Sequence, residues 1–517
     1  MSILNLAKPP KKNVFSTYSI AVIGGGASAV AFVKSFVDRV NSRGMSNIKL
    51  TIFEKEKAVG PGFPYKQDFD CLRLNSPAEV MSVCATNSEH FEEWLYSKKE
   101  YRKLYTESKF LPRWVFGDYL TETLYTSIVE AKNSIQCEIL FKKIEDINKQ
   151  DNKQYEVMTE DGQSFLFDFV ILAVGAVKTD DHYQLMGQPG YIHDVYPAQE
   201  ALVSVGKTET VGIIGTGLAA VDMVLALRYR GHEGNISMIS RNGRLPSVVD
   251  KRQVYETAFF TVENFKRYLE QNHYVSLRYV IRLLRKEFKA AGLNLRETLL
   301  NREEQQDDLE SIGQKIMASR RQQAGFNILS TIIPAITDQF WNDVPSHHKK
   351  IFIQKYMSDI IQRRTPLPLI NVNQIYDLLL SKQLQILGGI KSICKWEQKF
   401  HVSFLNGQET LHDYIINATG PSVDVSKNNL IKRLLTKGYL VENDNGGIQV
   451  NYDSGAVIDR DKNENETFRA IGYIAHGTYL FVNNLPVLLP IAHKIAGECV
   501  EVVHSIQVQR EQIRHSL

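Results

Sequence analysis

Two glycine-rich turns constrain this chain more than any other feature. IGGGASA occupies 23–29 and IGTGLAA occupies 214–220, about 190 residues apart. Each follows a short apolar run, at 19–23 and 210–214, and opens a segment with helical apolar spacing. That strand–turn–helix context gives a G-x-G-x-x-G/A pattern its meaning. The first glycine permits the tight turn, the second admits a pyrophosphate, and the small third residue lets helix pack on strand. The helix N-terminus then presents unpaired N–H groups and a positive dipole end to phosphate. Two such turns predict two dinucleotides in one polypeptide, close enough to exchange a hydride.

Residues flanking the turns divide the two sites by chemistry. The second strand of the first unit, 48–53, ends in Glu54, 30 positions past Gly24. An acid there is placed to accept hydrogen bonds from an adenosine ribose. After the corresponding strand of the second unit, 236–240, the chain reads Ser240, Arg241, Asn242, Gly243, Arg244, with no acid. A serine and two arginines suit a 2′-phosphate, which takes charge-assisted, bidentate donors. The pattern predicts NADPH rather than NADH at the second site.

The remaining texture sets the organisation. The chain has 517 residues, is 43% hydrophobic and carries a net charge of +3. That length allows two or three domains, and near-neutral, dispersed charge gives no footprint for nucleic acid. No apolar run reaches the roughly 20 residues of a membrane span. Cys71, Cys84, Cys137, Cys394 and Cys499 are scattered without a C-x-x-C pair. The sequence therefore offers no metal site and no redox dithiol, and such thiols suit a reducing cytoplasm. Between about 250 and 385 glycine becomes scarce. Leu277, Ile281, Leu284 and Phe288 then fall at helical spacing, as do Leu329, Ile333, Ile336 and Phe340. The basic stripe Arg278, Arg282, Arg285, Lys286 and Lys289 is expected to be a solvated helix face. No internal repeat is evident beyond the two turns.

The predicted fold is α/β, with two Rossmann-like dinucleotide-binding domains and a helical insertion in the second. The expected divisions are a flexible lead-in (1–17), a first part of the first dinucleotide-binding domain (18–200), a first part of the second, NAD(P)-binding domain (201–250) and the insertion (251–385). A return to the NAD(P)-binding domain (386–420) and a return to the first domain (421–517), which the resemblance below implies to bind FAD, complete the chain.

The motifs IGGGASA, LNSP (74–77), RWVFGDYL (113–120), YIHDVYP (191–197), GTGLAAVD (215–222), SRNGRLP (240–246) and DYIINATGP (413–421) span nearly the whole sequence. In this order they resemble the bacterial FAD/NAD(P)-binding, two-dinucleotide-binding-domain flavoproteins related to class B and N-hydroxylating flavin monooxygenases. Residue by residue, the resemblance implies FAD contacts at Gly24, Gly26, Ala27, Ser28, Glu54, Asn75, Gly477 and Asn484. It implies NADPH contacts at Gly215, Thr216, Gly217, Ala220, Ser240, Arg241 and Arg244. The implied activity is hydroxylation of a small molecule, such as an amine or amino acid, by NADPH and dioxygen through a flavin C4a-peroxide. Such chemistry demands no dedicated acid or base; His193, His476, Arg113 and Arg364 are the candidate catalytic or substrate-binding side chains. Two departures stand out: Asn417 and Pro421 in the ATG motif, and the stretch IGYIAHG (471–477), which lacks the acid many relatives carry. An NAD(P)H:flavin reductase or oxidase, and a non-catalytic flavin-binding regulator, are the alternative readings. A disulfide reductase lacks its dithiol here. Homo-oligomerisation stays open.

Overall fold

The computed structural model describes residues 17–176, 179–250, 255–300 and 306–516. The expected lead-in therefore lies almost wholly outside the described residues. Two parallel sheets form the frame. In the first, the strand order is Ala456–Ile458, Glu464–Ala470, Phe169–Leu172, Tyr18–Ile23, Ile48–Phe53, Ile135–Leu140. Only the outermost Ala456–Ile458 runs antiparallel. In the second, the order is Leu384–Leu387, Ile236–Ile239, Val211–Ile214, Tyr414–Asn417, Tyr191–Ile192, all parallel. Central strands such as FVIL, VGII and ISMI are buried at every position, as strands covered by helices on both faces must be. The pairing of Tyr191–Ile192 with Tyr414–Asn417 puts the start of the second unit before residue 201.

The two units are copies of one plan, which corrects the reading that only the glycine turns repeat. In each, strand, turn, helix and strand lead on to a third parallel strand. A three-stranded antiparallel meander then precedes the fourth. The meanders are Ile144–Lys149, Tyr155–Thr159, Ser164–Phe167 and Ile390–Trp396, Lys399–Phe404, Glu409–His412. Even the latch between first and fourth strands recurs. Asp168 Oδ2 accepts from the Ser19 N–H at 2.8 Å and its hydroxyl at 2.9 Å. Asp413 Oδ2 accepts from the Thr210 N–H at 2.8 Å and its hydroxyl at 2.7 Å.

The insertion, topologically part of the second unit, packs on both. Its long helix Leu309–Gln339 buries Ile312 in the core of the second domain. About 20 residues on, Ile328, Leu329, Ile332 and Ile333 enter the core of the first, as a rigid rod of 1.5 Å rise per residue allows. In Leu277–Ala290 the buried residues are Tyr279, Val280, Leu283, Glu287 and Phe288. The apolar face is thus rotated from the expected one: Ile281 and Leu284 are only half-buried. Arg278, Arg282, Arg285, Lys286 and Lys289 are exposed. Glu287 turns inward because it caps the 258–260 loop, accepting three backbone N–H bonds at 2.7–2.9 Å.

The C-terminal helix spans Leu485–Ser516. It lies alongside Ala27–Ser42, and the two run parallel: His493 meets Ser35 and Arg39, and Glu501 meets Arg43. Both N-termini therefore lie at the same edge of the first sheet, about one interhelix spacing (8–10 Å) apart. No helix among the described residues is long and apolar enough to cross a membrane.

Candidate functional site

Each glycine turn sits at the carboxyl end of its sheet, where ligands of open α/β folds bind. Gly24 has φ of +105°, and a Cβ there would lie 2.3 Å from the Ala173 carbonyl oxygen. Gly215 repeats this with φ of +122° and the Ala418 carbonyl at 2.8 Å. The following helices start at Ala27 and Leu218 after glycine N-caps that supply no side-chain acceptor. The first N–H groups bonded back to those caps belong to Val30 and Val221. The first amides of each helix, those of Ala27, Ser28 and Ala29 and of Leu218, Ala219 and Ala220, thus remain available to an anion, whereas the Gly24, Gly25 and Gly215 N–H groups are bonded within the fold.

Around the first turn, Glu54 is buried at the end of its strand. One carboxylate oxygen accepts from the Gly25 N–H at 2.8 Å and the other from the Glu56 N–H at 3.0 Å. The Gly/Pro-rich segment 59–65 folds over this turn. The Gly60 N–H donates to the Gly25 carbonyl at 2.7 Å, and a Cβ on Gly62 would touch Gly26 Cα at 3.2 Å. From the opposite side, Gly472 approaches so closely that a Cβ would lie 2.4 Å from Ser28 Oγ. Tyr473 follows it. This is the strand end where the sequence lacks an acid, and Gly472 rather than Gly477 is the glycine that meets the first turn. A Cβ on Gly477 would lie 2.0 Å from the Gly446 carbonyl, so Gly477 is a packing glycine.

At the second turn, Ser240 Oγ accepts from Thr216 Oγ1 at 3.2 Å and from the Gly243 N–H at 2.8 Å. This fixes the loop that follows its strand. Arg241, Asn242, Arg244, Gln306, Gly388 and Gly389 line one polar cleft there. The insertion shapes it. Asp307, buried, accepts from the Leu245 N–H at 2.7 Å and pairs with Lys315 at 2.6 Å, while Gln306 accepts from the Gly388 N–H at 2.9 Å. No sequence signal linked 306–307 to this loop.

The four candidate catalytic side chains have different fates. Arg113 is consumed by a contact between the domains. Its Nη2 lies 2.6 Å from Asp222, Nη1 donates to Tyr196 Oη at 2.9 Å, and Nε donates to the Arg73 carbonyl at 3.1 Å. Tyr196 also donates to Asp222. Burial opposes charge on both partners and raises Asp222, whereas Arg113 is raised on balance, its burial outweighed by the facing carboxylate. His476 is a wedge under the 446–447 loop: Nδ1 bonds the Tyr473 carbonyl at 2.9 Å, and burial lowers its pKa. His193 Nδ1 lies 3.4 Å from Tyr191 Oη, and its Nε2 is buried without a partner. Arg364, the last candidate, is 6% exposed, with no acceptor for its Nε or Nη1 donors. It stacks 4.2 Å over the Phe481 ring. Burial without a counter-charge pulls its pKa down to about 10, so it stays cationic at neutral pH. It lines a cavity with Asn75, Ser330, Pro334, Asn484 and Pro486. The sequence named Asn75, Arg364 and Asn484 separately; the fold brings them together from three distant segments.

Asn417 explains one departure from the expected motif. Its amide donates to the Asp180 carbonyl at 2.9 Å and its oxygen accepts from the Thr419 hydroxyl at 2.8 Å. Thr179 and Pro421 form a bridge beside it. An amide here ties together the two strands of chain that cross between the domains, which an apolar side chain could not do.

The fold is that of the two-dinucleotide-binding-domain flavoproteins. Residues 21–177 match the family described as FAD-NAD(P)-binding. Among solved structures, the chain is similar to the cadaverine monooxygenase of desferrioxamine biosynthesis from Erwinia amylovora, bound to FAD. The TM-score is 0.58 at 12% identity, over 94% of this chain and 95% of that one. It is also similar to L-lysine 6-monooxygenase from Pseudomonas syringae, with a TM-score of 0.57 at 12% identity over 94% and 99% of the two chains. A third is the ornithine N-hydroxylase of Kutzneria sp. 744, with reduced FAD, NADP+ and L-ornithine. There the TM-score is 0.56 at 11% identity over 95% and 100%. No curated protein sequence matches the chain.

Proposed function

We propose that this protein is an FAD-dependent, NADPH-using monooxygenase that hydroxylates a small amine or amino acid. The observation that carries the reading is the duplicated unit itself. Two crowded glycine turns with free helix amides are held in a fold shared from end to end with a cadaverine monooxygenase, an L-lysine 6-monooxygenase and an ornithine N-hydroxylase.

The residues fit both cofactors. At the first turn, the amides of Gly26, Ala27 and Ser28 receive the FAD pyrophosphate and Glu54 the adenosine ribose, while Gly472 leaves room that a side chain would fill. Asn75 and Asn484 face the flavin end. At the second, Gly215, Thr216, Gly217 and Ala220 cradle the NADPH pyrophosphate, and Ser240, Arg241 and Arg244 receive the 2′-phosphate. Bound flavin supplies the hydride acceptance and oxygen activation that no side chain provides. The protein's own work is orientation and exclusion of water. The Arg113–Asp222–Tyr196 contact and the Asn417 crossing hold the two units in register, and the insertion roofs the first.

Anaerobically prepared protein, supplied with NADPH, air and a panel of amines and amino acids, is expected to yield a hydroxylated amine with matching NADPH consumption. Stoichiometric hydrogen peroxide with every compound would replace this reading with that of an oxidase.

A further inference from the structure

We infer that Arg364, contributed by the helical insertion, binds the pyrimidine edge of the flavin and stabilises the negative charge which that edge acquires on reduction. The inference rests on FAD occupying the first site and adds a redox role to the insertion.

Three observations converge. The guanidinium is 6% exposed, Nε and Nη1 have no acceptor, and no carboxylate is among the described residues lining its cavity. Burying an unpaired cation is costly, so a fold that does so holds it for a ligand. The cavity also contains Asn484 and Pro486, at the N-terminus of Leu485–Ser516. That helix runs parallel to Ala27–Ser42, so the cavity lies about one helix spacing from the phosphate-binding turn. This is close to the reach of the ribityl chain between pyrophosphate and ring. Finally, Phe481, beneath the guanidinium, has φ of +61°. A bulky residue rarely adopts that conformation, and strain of this kind gathers at functional sites.

The chemistry of reduction supplies the ligand. Hydride reaching flavin N5 brings a proton with an electron pair, and the nicotinamide donor leaves oxidised. The added density collects as net negative charge on N1 and the C2 carbonyl oxygen. A guanidinium and a helix N-terminus facing that edge favour the reduced state and cost the oxidised one little.

The test uses full-length, flavin-loaded protein with Arg364→Met, Arg364→Gln and Arg364→Lys. The flavin midpoint potential is measured by spectroelectrochemistry. The dissociation constant for sulfite is measured by absorbance, since sulfite adds to N5 and leaves the same charge on the ring. Removing the cation is expected to lower the reduced-to-oxidised ratio about tenfold or more, about 30 mV per tenfold for an electron-pair couple. Sulfite binding should weaken about tenfold, with lysine retaining most of both. If the methionine variant does not fold, the polar glutamine variant carries the same comparison. Unchanged potential and sulfite affinity in a flavin-loaded neutral variant overturn the inference. So does a variant altered only in KM for acid-bearing amines, which would make Arg364 a substrate anchor. Wild-type protein that takes up no flavin would overturn the cofactor reading as well, so the two failures are distinguishable.

Discussion

Replacing Asp222 with asparagine leaves the Arg113 guanidinium buried without its counter-ion. The partners lie 2.6 Å apart, with side chains 16% and 3% exposed, so solvent screens the pair only slightly. Removing one member of such a pair costs about 3–5 kcal/mol, chiefly the burden of the stranded charge. Folded domains have only about 5–15 kcal/mol in reserve, so Asp222→Asn should lower the thermal midpoint markedly. Arg113→Met should do the same. The double variant Arg113→Met/Asp222→Asn removes both charges and should recover much of the loss. The assay is thermal or urea unfolding of all four proteins, analysed as a double-mutant cycle, with a coupling of at least about 1 kcal/mol expected. Because the pair joins the two domains, the asparagine variant should also transfer hydride from NADPH to flavin more slowly than wild type while binding each cofactor normally. Effects that add to within about 0.5 kcal/mol would refute the clasp.

Other outcomes follow from single positions. Gly24→Ala, which sets a methyl 2.3 Å from a carbonyl oxygen at φ of +105°, should abolish flavin retention. Gly44→Ala, at φ of +62° in open space, should keep it; absorbance of the purified proteins decides. Arg241→Ala should weaken NADPH about tenfold or more, as loss of a charge-assisted contact implies, and leave NADH nearly unchanged; equal losses in titration would contradict the 2′-phosphate role. Burial pulls His412 from 6.5 down to about 4. Its unfolded imidazole takes up a proton before the folded one does, so stability is complete above the unfolded value. It is lost as pH falls through the window between the two, by about 3 kcal/mol at 1.36 kcal/mol per unit. His412→Phe should flatten that part of the profile of unfolding free energy against pH.

Much of the fold was legible because it is written in local patterns. Buried parallel strands read as unbroken apolar runs, and glycine at positive φ leaves a fixed spacing around each turn. The duplication was partly visible too: DFVILAVG at 168–175 and DYIINATG at 413–420 share their acid, apolar run and closing glycine. The equivalence shows fully only when Asp168 and Asp413 are seen latching the first strand of each unit. The insertion's face was displaced because Glu287 looks polar in sequence, yet three backbone donors bring it inside. What the sequence could not reveal were convergences over long separations. Gly472 against Ser28, Gln306 and Asp307 beside the Ser240 loop, and Arg364 beside Asn75 and Asn484 depend on how the domains and insertion pack. Arg113 illustrates the reverse: a cation that invites a functional reading is neutralised by an aspartate 109 positions away.

In the proposed reaction two dinucleotides meet across these paired units. The decisive experiment is anaerobic titration of the purified, flavin-loaded protein with NADPH. The flavin absorbance is expected to bleach stoichiometrically, with oxidised nicotinamide appearing in equal amount. Protein that binds no flavin, or whose flavin stays oxidised under saturating NADPH, would contradict it.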